Sequence, residues 1–212
     1  TMLARSVALY LLLSELGAHG RVQTQDEVLQ GLLYSAHYSG DTRPKLAIAN
    51  AAGACDADPD EVVLQMSIVE ISKVDQRKQS YEFNAHLMLS WDDERLVFNE
   101  SDCSAHALIL TSAHSHEAIW KPSMYFEHAI SVDIPSLGMY QGDMIRVNQH
   151  GHVEWTRQAR VHLHCGMGFG RLPFDNQECV MVAGIYADTA GDVRLTWAPG
   201  DHPLGKHLQD IA

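Results

Sequence analysis

Six of the thirteen histidines fall in alternate-residue pairs, His114/His116, His150/His152 and His162/His164. Alternate residues on a strand share a face, so each pair could ligate zinc or copper, or titrate near an unperturbed pKa of about 6.5. A hairpin bearing His150, His152, His162 and His164 together would suggest a metal site; metal-free histidines on strand faces and loops are the alternative. Asp56, Asp58, Asp60 and Glu61 resemble the opening of a calcium loop, but Glu61 stands where an EF-hand needs glycine and Ser67 where it needs glutamate. The segment is therefore no EF-hand. A weaker oxygen-ligand calcium site at Asp56, Asp58 and Asp60, or at Asp92 and Asp93, remains as an expectation beside solvated acidic turns. Calcium is the cofactor these acidic residues would take. Four cysteines (Cys55, Cys103, Cys165, Cys179) allow three pairings, among which spacing does not choose, and no CxxC pair supports a zinc ribbon. There is no G-x-S-x-G, no H-E-x-x-H and no glycine-rich phosphate loop. The chain is expected not to be an enzyme.

The elements that must position these groups follow from composition and periodicity. With 212 residues, 46% hydrophobic and 20% charged, the chain can bury the core of one domain. Its 15 basic and 27 acidic residues give a net charge of −12, which repels a phosphate backbone and disfavours nucleic acid as a partner. Cationic ligands, divalent metals and basic mineral surfaces stay compatible with it. Arg5, the apolar run Val7–Leu13 and the small-residue pattern Ala18-His19-Gly20 have the layout of a secretory signal over residues 1–20. A buried amphipathic helix containing Glu15 is the alternative. The remainder, 21–212, is expected to be one secreted, extracellular domain without a membrane span, with Asn99-Glu100-Ser101 a glycosylation acceptor at Asn99.

From Asp26 to Tyr38, apolar Val28, Leu29, Leu32, Leu33 and Ala36 recur at helical spacing, and Gly40 is expected to end that helix. Ala49–Gly53 reads as a small-residue linker. Alternation at period two then predicts strands over 63–72, 80–91 and 153–163, separated by turns at Asp75–Lys78, Gln149–Gly151 and Ala190–Asp192. The fold class is mainly β, a β-sandwich preceded by a helix, with Trp91, Trp120, Trp155 and Trp197 in its core.

The most specific segment runs from Cys165 to Cys179, with Leu172-Pro173-Phe174-Asp175 as a rigid turn at its centre. Closing such a loop by a disulfide is worth roughly 3 kcal/mol in the chain-entropy model. Here the sequence resembles the Cys-loop family, the extracellular domains of pentameric ligand-gated ion channels and the soluble acetylcholine-binding proteins. Val74-Asp75, the W-x-D-x-x-L strand at Trp91, Asp93 and Leu96, Trp120-Lys121-Pro122-Ser123 with serine in place of the usual aspartate, Gly151–Trp155 and Asp192–Trp197 follow in the family's order. The resemblance implies an immunoglobulin-like sandwich with an amino-terminal helix, a Cys165–Cys179 disulfide, and assembly as a homopentamer or a stack of pentamers that binds a small extracellular ligand between subunits. Cys55 and Cys103 would both lie toward the apical end, where a second disulfide is expected.

In that family aromatic faces surround a cation. Seven residues beyond Cys179 stands Tyr186, which fits a ring of the box. Seven beyond Trp120 stands Glu127 where an aromatic is usual, with Tyr125 and Phe126 beside it, and five before Trp91 stands His86 where nicotinic-type members have tryptophan. After Trp197 the family continues through a capping hairpin, whereas Ala198–Ala212 contains no vicinal cysteine pair, so the cap is absent or the record is a fragment. Three functions follow: a secreted acetylcholine-binding-protein-like pentamer that captures small ligands or cations; a protein of biomineralisation that binds calcium or amorphous calcium carbonate; and the extracellular domain of a channel, cut before its membrane helices.

Overall fold

The computed structural model of the protein describes residues 24–35, 38–99, 106–110, 113–134, 143–171 and 173–199. The signal-like residues 1–20 and Cys103 lie outside them. Helix α1 (Gln25–Leu33) opens on a reciprocal capping box: Thr24 Oγ1 accepts from the Glu27 N–H at 3.3 Å, and Glu27 Oε2 accepts from the Thr24 N–H at 2.8 Å. Val28 and Leu33 are buried and Leu29 and Leu32 pack beside them, as the periodicity predicts. The helix stops well short of Tyr38 and of Gly40. The Ser35 hydroxyl bonds back to the Leu32 carbonyl, and Tyr38 is taken up by a tertiary contact described below.

The first three residues of the expected linker Ala49–Gly53 are helical instead, forming the end of a second helix, α2 (Pro44–Ala51). Pro44 in its first turn presets the backbone angle where an N–H would have no partner, and the alanines that follow are the strongest helix formers. The helical propensity of the alanines outweighs the linker-like look of a run of small residues.

Among the described residues nine strands follow: β1 (Asp60–Asp75), β2 (Ser80–Asp92), β3 (Ala107–Leu110), β4 (Met124–Phe126), β5 (Ala129–Asp133), β6 (Asp143–Asn148), β7 (His152–His164), β8 (Ala183–Ile185) and β9 (Val193–Trp197). A short helix, α3 (Ala113–Ala118), precedes β4. The larger sheet runs β3-β6-β7-β2-β1-β9, with β5 also paired to β7; all neighbours are antiparallel except β9, which lies parallel to β1. β4 and β8 form the second layer. The three predicted strands are present, each extended at one or both ends.

Alternation aims Phe83, Ala85, Leu87, Leu89 and Trp91 of β2, with Val153, Trp155, Ala159, Val161 and Leu163 of β7, into the core. Met124, Phe126, Ala183 and Ile185 of the small sheet pack against them from the other side. The result is a mainly β sandwich with an amino-terminal helix. Trp91, Trp120 and Trp155 are core residues; Trp197, at the end of an edge strand, is 39% exposed instead.

One polar cluster ties the layers and helices together. Asp93, fully buried, receives Arg95 Nε on Oδ1 and Nη2 on Oδ2, both at 2.8 Å, while Arg95 Nη1 donates to the carbonyls of Ser39 and Thr42 at 3.1 Å. The guanidinium carbon lies 4.4 Å from the Tyr38 ring centroid. The Tyr38 hydroxyl donates to Asp93 Oδ2 at 3.4 Å and accepts from the Trp120 N–H at 3.1 Å. Burial, then the Asp93 charge, pushes this hydroxyl well above the ordinary tyrosine range. Gly151 closes the cluster with φ +79°, its carbonyl accepting from the Asp93 N–H at 2.9 Å; a Cβ there would fall 2.4 Å from the Asp93 carbonyl oxygen.

Removing one partner of such a pair leaves the other charge buried and uncompensated. Asp93→Ala is therefore expected to lose roughly 3–5 kcal/mol of stability, seen in urea titration as a lowered midpoint at unchanged slope. A loss below about 1 kcal/mol, the value of an exposed pair, would show that the cluster does not bind the fold together.

Candidate functional site

The outer side of the small sheet carries an aromatic notch. In β4, Met124 and Phe126 face the core, so the strand's alternation turns Tyr125 outward, where it is 41% exposed; Tyr186, just past β8, is 82% exposed. Their ring centroids are 6.1 Å apart at an interplanar angle of 80°, an edge-to-face pair. The backbone of this corner is fixed by three bonds: Tyr186 N–H to the Ser123 carbonyl at 2.8 Å, Ala187 N–H to Ser123 Oγ at 2.9 Å, and Glu127 N–H to the Val182 carbonyl at 2.8 Å. Two exposed aromatic faces can attract an organic cation through their quadrupoles. The Glu127 carboxylate is exposed at the end of the same strand, 3.7 Å from His128 Nε2.

Of the residues assigned to the box from sequence, Tyr125 and Tyr186 come together. Phe126 does not join them: it is 4% exposed and belongs to the core, because it follows Tyr125 on a strand. His86 lies across the sandwich. Its neighbours Ala85 and Leu87 are buried, so His86 is exposed on the outer face of the large sheet, opposite Ser67 and Gln158.

Of the acidic residues expected to ligate calcium, Asp60 and Asp93 are engaged by arginine, Asp56 and Asp92 have single local partners, and Asp58 is exposed. Asp60, 2% exposed, pairs with Arg43 at 3.0 Å and accepts from the Lys45 N–H at 3.1 Å; Asp93 is held by Arg95. Asp56 Oδ1 accepts from the next backbone N–H, the Asp58 carbonyl accepts from Arg43, and Asp92 Oδ1 lies 2.7 Å from His152 Nδ1. Among the described residues no group of three histidine, cysteine, aspartate or glutamate side chains is placed to hold a metal ion. Of the histidine pairs, only His162 and His164 share the outward face of one strand. His114 and His116 are on helix α3, His150 is in a turn, and His152 and His162 sit at opposite ends of one 13-residue strand. Cys55 is exposed and its thiol is free; Cys103, its expected partner, lies outside the described residues. Asn99 is exposed.

Cys165 and Cys179 are joined, with their Cα atoms 5.4 Å apart. Within the loop the Gln177 amide bridges both backbone groups of Gly168, at 2.9 and 2.8 Å, and the Cys165 N–H donates to the Gln79 carbonyl in the β1–β2 turn at 2.7 Å. Phe174 at the loop's tip is 90% exposed.

A sandwich of this topology, a disulfide loop docked on the first hairpin turn and an aromatic pair beyond the loop define a receptor-type ligand-binding domain. Residues 26–211 match the neurotransmitter-gated ion-channel ligand binding domain family, and the chain belongs to that family. It is similar to the gamma-aminobutyric acid receptor subunit rho-2 of Mus musculus, 30% identical over 138 residues that make up 65% of this chain and 28% of that subunit. It is also similar to subunit rho-1 of Homo sapiens, at 32% over 139 residues (65% and 27%), and to subunit rho-3 of Homo sapiens, at 28% over 150 residues (69% and 30%). The chain thus spans less than a third of the length of these relatives. Among the described residues no helix is long and apolar enough to cross a membrane.

Next along the chain, Ala187 and Asp188 line a polar cleft of about 510 Å³ together with Arg43, Ser123 and Asp192. Sequence reading missed Asp188, which carries no motif. The Thr189 hydroxyl, at 2.6 Å, and then Arg43 hold Asp192 below the usual carboxylate range, whereas burial and then the Asp192 charge push Asp188 above it. A carboxyl raised in the folded state gives up its proton at higher pH there than when unfolded, so it subtracts stability as pH climbs through the folded pKa. Asp188→Asn is expected to raise the thermal midpoint at pH 7. That gain should vanish below about pH 4, where the carboxyl is protonated in both states; an equal gain at pH 3 and pH 7 would contradict the assignment.

Proposed function

We propose that this domain is an extracellular binding module for a small organic cation or ammonium-bearing zwitterion, seated on Tyr186 and Tyr125, and that it works as a ring of five copies. The observation that carries the reading is the exposed edge-to-face tyrosine pair, held at three backbone points on a rigid sheet. Membership of a ligand-binding family supports it, and so do the names of the relatives, which are receptor subunits for an amino acid that carries an ammonium group. The same relatives favour a receptor's outer domain over a free-standing secreted binding protein. Asn99, exposed in its acceptor triplet, is a glycosylation site in this reading. The calcium-mineral alternative draws on the −12 charge, but Asp60 and Asp93 are already neutralised by arginine.

Calorimetric titration with tetramethylammonium, γ-aminobutyric acid and calcium chloride separates these readings. Heat is expected from one of the amines. Tyr186→Ala should weaken binding roughly two- to thirtyfold, the range of one cation–π contact, while Tyr186→Phe should keep it within about twofold because the ring face survives. Calcium heat with no amine heat would overturn the proposal. Light scattering is expected to give a mass five times that of the chain, and a stable monomer would remove the ring.

A further inference from the structure

Tyr125 faces Gly184 directly across the β4–β8 pair, and its ring lies down on the glycine: a Cβ built on Gly184 would stand 2.8 Å from Tyr125 Cε1 and 3.2 Å from both Cζ and the hydroxyl oxygen. Any side chain at 184 would have to push the ring away. Glycine weakens a strand, since it has nothing to pack and more backbone freedom to lose; an aromatic ring laid over it from the neighbouring strand restores packing. The backbone angles of Gly184 are ordinary, so space rather than conformation is what the glycine provides.

Ser123 acts on the other ring. Its carbonyl accepts from Tyr186 and its hydroxyl from Ala187, so one residue ahead of β4 holds both backbone amides at and after Tyr186. Two short strands of three residues each would otherwise leave that exit from β8 loosely defined.

We infer that Gly184 and Ser123 are positioning residues for the aromatic notch, Gly184 by seating Tyr125 flat against the sheet and Ser123 by clamping the backbone of Tyr186, so that the edge-to-face pair exists before any ligand arrives. The inference rests on the proposed function for its purpose but not for its geometry. One consequence concerns specificity. With one face of Tyr125 covered by the strand, the ring offers its other face and edge, and Tyr186 supplies the more open surface for a cation. Preorganisation of this kind spares a ligand the ordering of two rotamer-bearing side chains.

The test uses the full chain with selectively labelled tyrosines, read by NMR without ligand. The wild-type protein should show a ring-to-ring cross-peak between Tyr125 and Tyr186. Gly184→Ala should abolish it. Ser123→Ala should speed amide exchange at Ala187 roughly tenfold, about the equilibrium value of one lost hydrogen bond, and Ser123→Thr should restore the wild-type rate. An unaltered cross-peak in folded Gly184→Ala, or unchanged exchange in Ser123→Ala, would overturn the inference; if Gly184→Ala fails to fold, the Ser123 pair of variants decides. Calorimetry with tetramethylammonium keeps the two claims apart. A wild-type protein that has the cross-peak and the protected amide but gives no amine heat refutes the binding function and leaves the positioning roles standing, whereas amine binding without the cross-peak does the reverse.

Discussion

The buried Asp93–Arg95 pair is the constraint around which the upper half of the molecule is arranged. A carboxylate removed from water in a sandwich core must be compensated, and both its oxygens meet the arginine fork. The guanidinium's remaining donor groups then reach Ser39 and Thr42, fixing the chain between the two amino-terminal helices. Tyr38 fills the space above the guanidinium and passes the constraint on to Trp120 through its hydroxyl. Three residues beyond Trp120 stands Ser123, the residue that fixes Tyr186. A charge pair in the core is thus connected, through one phenol and one short stretch of backbone, to the rings of the candidate site.

This chain of contacts explains why a notch built on two three-residue strands can hold its shape. An isolated pair of such strands has little stability of its own. Here β4 begins at a segment already pinned by Trp120, and β8 is anchored two ways: its inward residues Ala183 and Ile185 sit on the core of the large sheet, and the Cys165–Cys179 bond limits where the preceding segment can go. Arg43 plays the matching part close by, in the cleft it shares with Ser123, joining the acidic turn before β1 to Asp192 before β9. The parallel β1–β9 pair starts at that junction, where the Asp60 N–H donates to the Asp192 carbonyl.

The long strands β1, β2 and β7 of the large sheet were legible because burial on one face writes period two into the sequence, whereas the shorter β3, β5, β6 and β9 offer too few residues for that period to show. Helix α1 was legible for the analogous reason, but its end was not. Ala36 continues the helical pattern, and only the tertiary demand on Tyr38 for the Asp93 cluster explains why the chain leaves the helix early. Helix α2 was missed because small residues show no amphipathic stripe to read. At the candidate site, counting from motifs leads to the neighbourhood of Tyr186 and Tyr125, which the fold brings together, while Phe126 turns into the core because counting does not ask which face of β4 each residue takes. Asp60 and Asp93 looked like free ligands for the same reason. Charge is visible in a sequence, but the arginine that neutralises it, 17 residues away in the case of Asp60, is not. Gly184 and Ser123 have the most ordinary appearance of all, since a glycine under a ring and a serine facing a backbone amide are defined only by what the fold places opposite them.

The placement of His86 bears on how the site would close. An aromatic pair open to solvent holds a cation weakly, because water competes for the charge and screens it. Tight binding needs a second wall, and among the described residues the outer face of the large sheet, with His86 and Gln158 opposite one another, is turned away from the tyrosines by the full thickness of the sandwich. Those two surfaces can meet only when they come from different copies, the tyrosines of one facing the β2–β7 surface of the next. Such a contact joins unlike patches and therefore closes into a ring or propagates. In the ring proposed above, a ligand bound at the contact favours the assembled state by mass action, so occupancy of the notch and association of the copies would rise together, and affinity would depend on protein concentration as well as on the two rings.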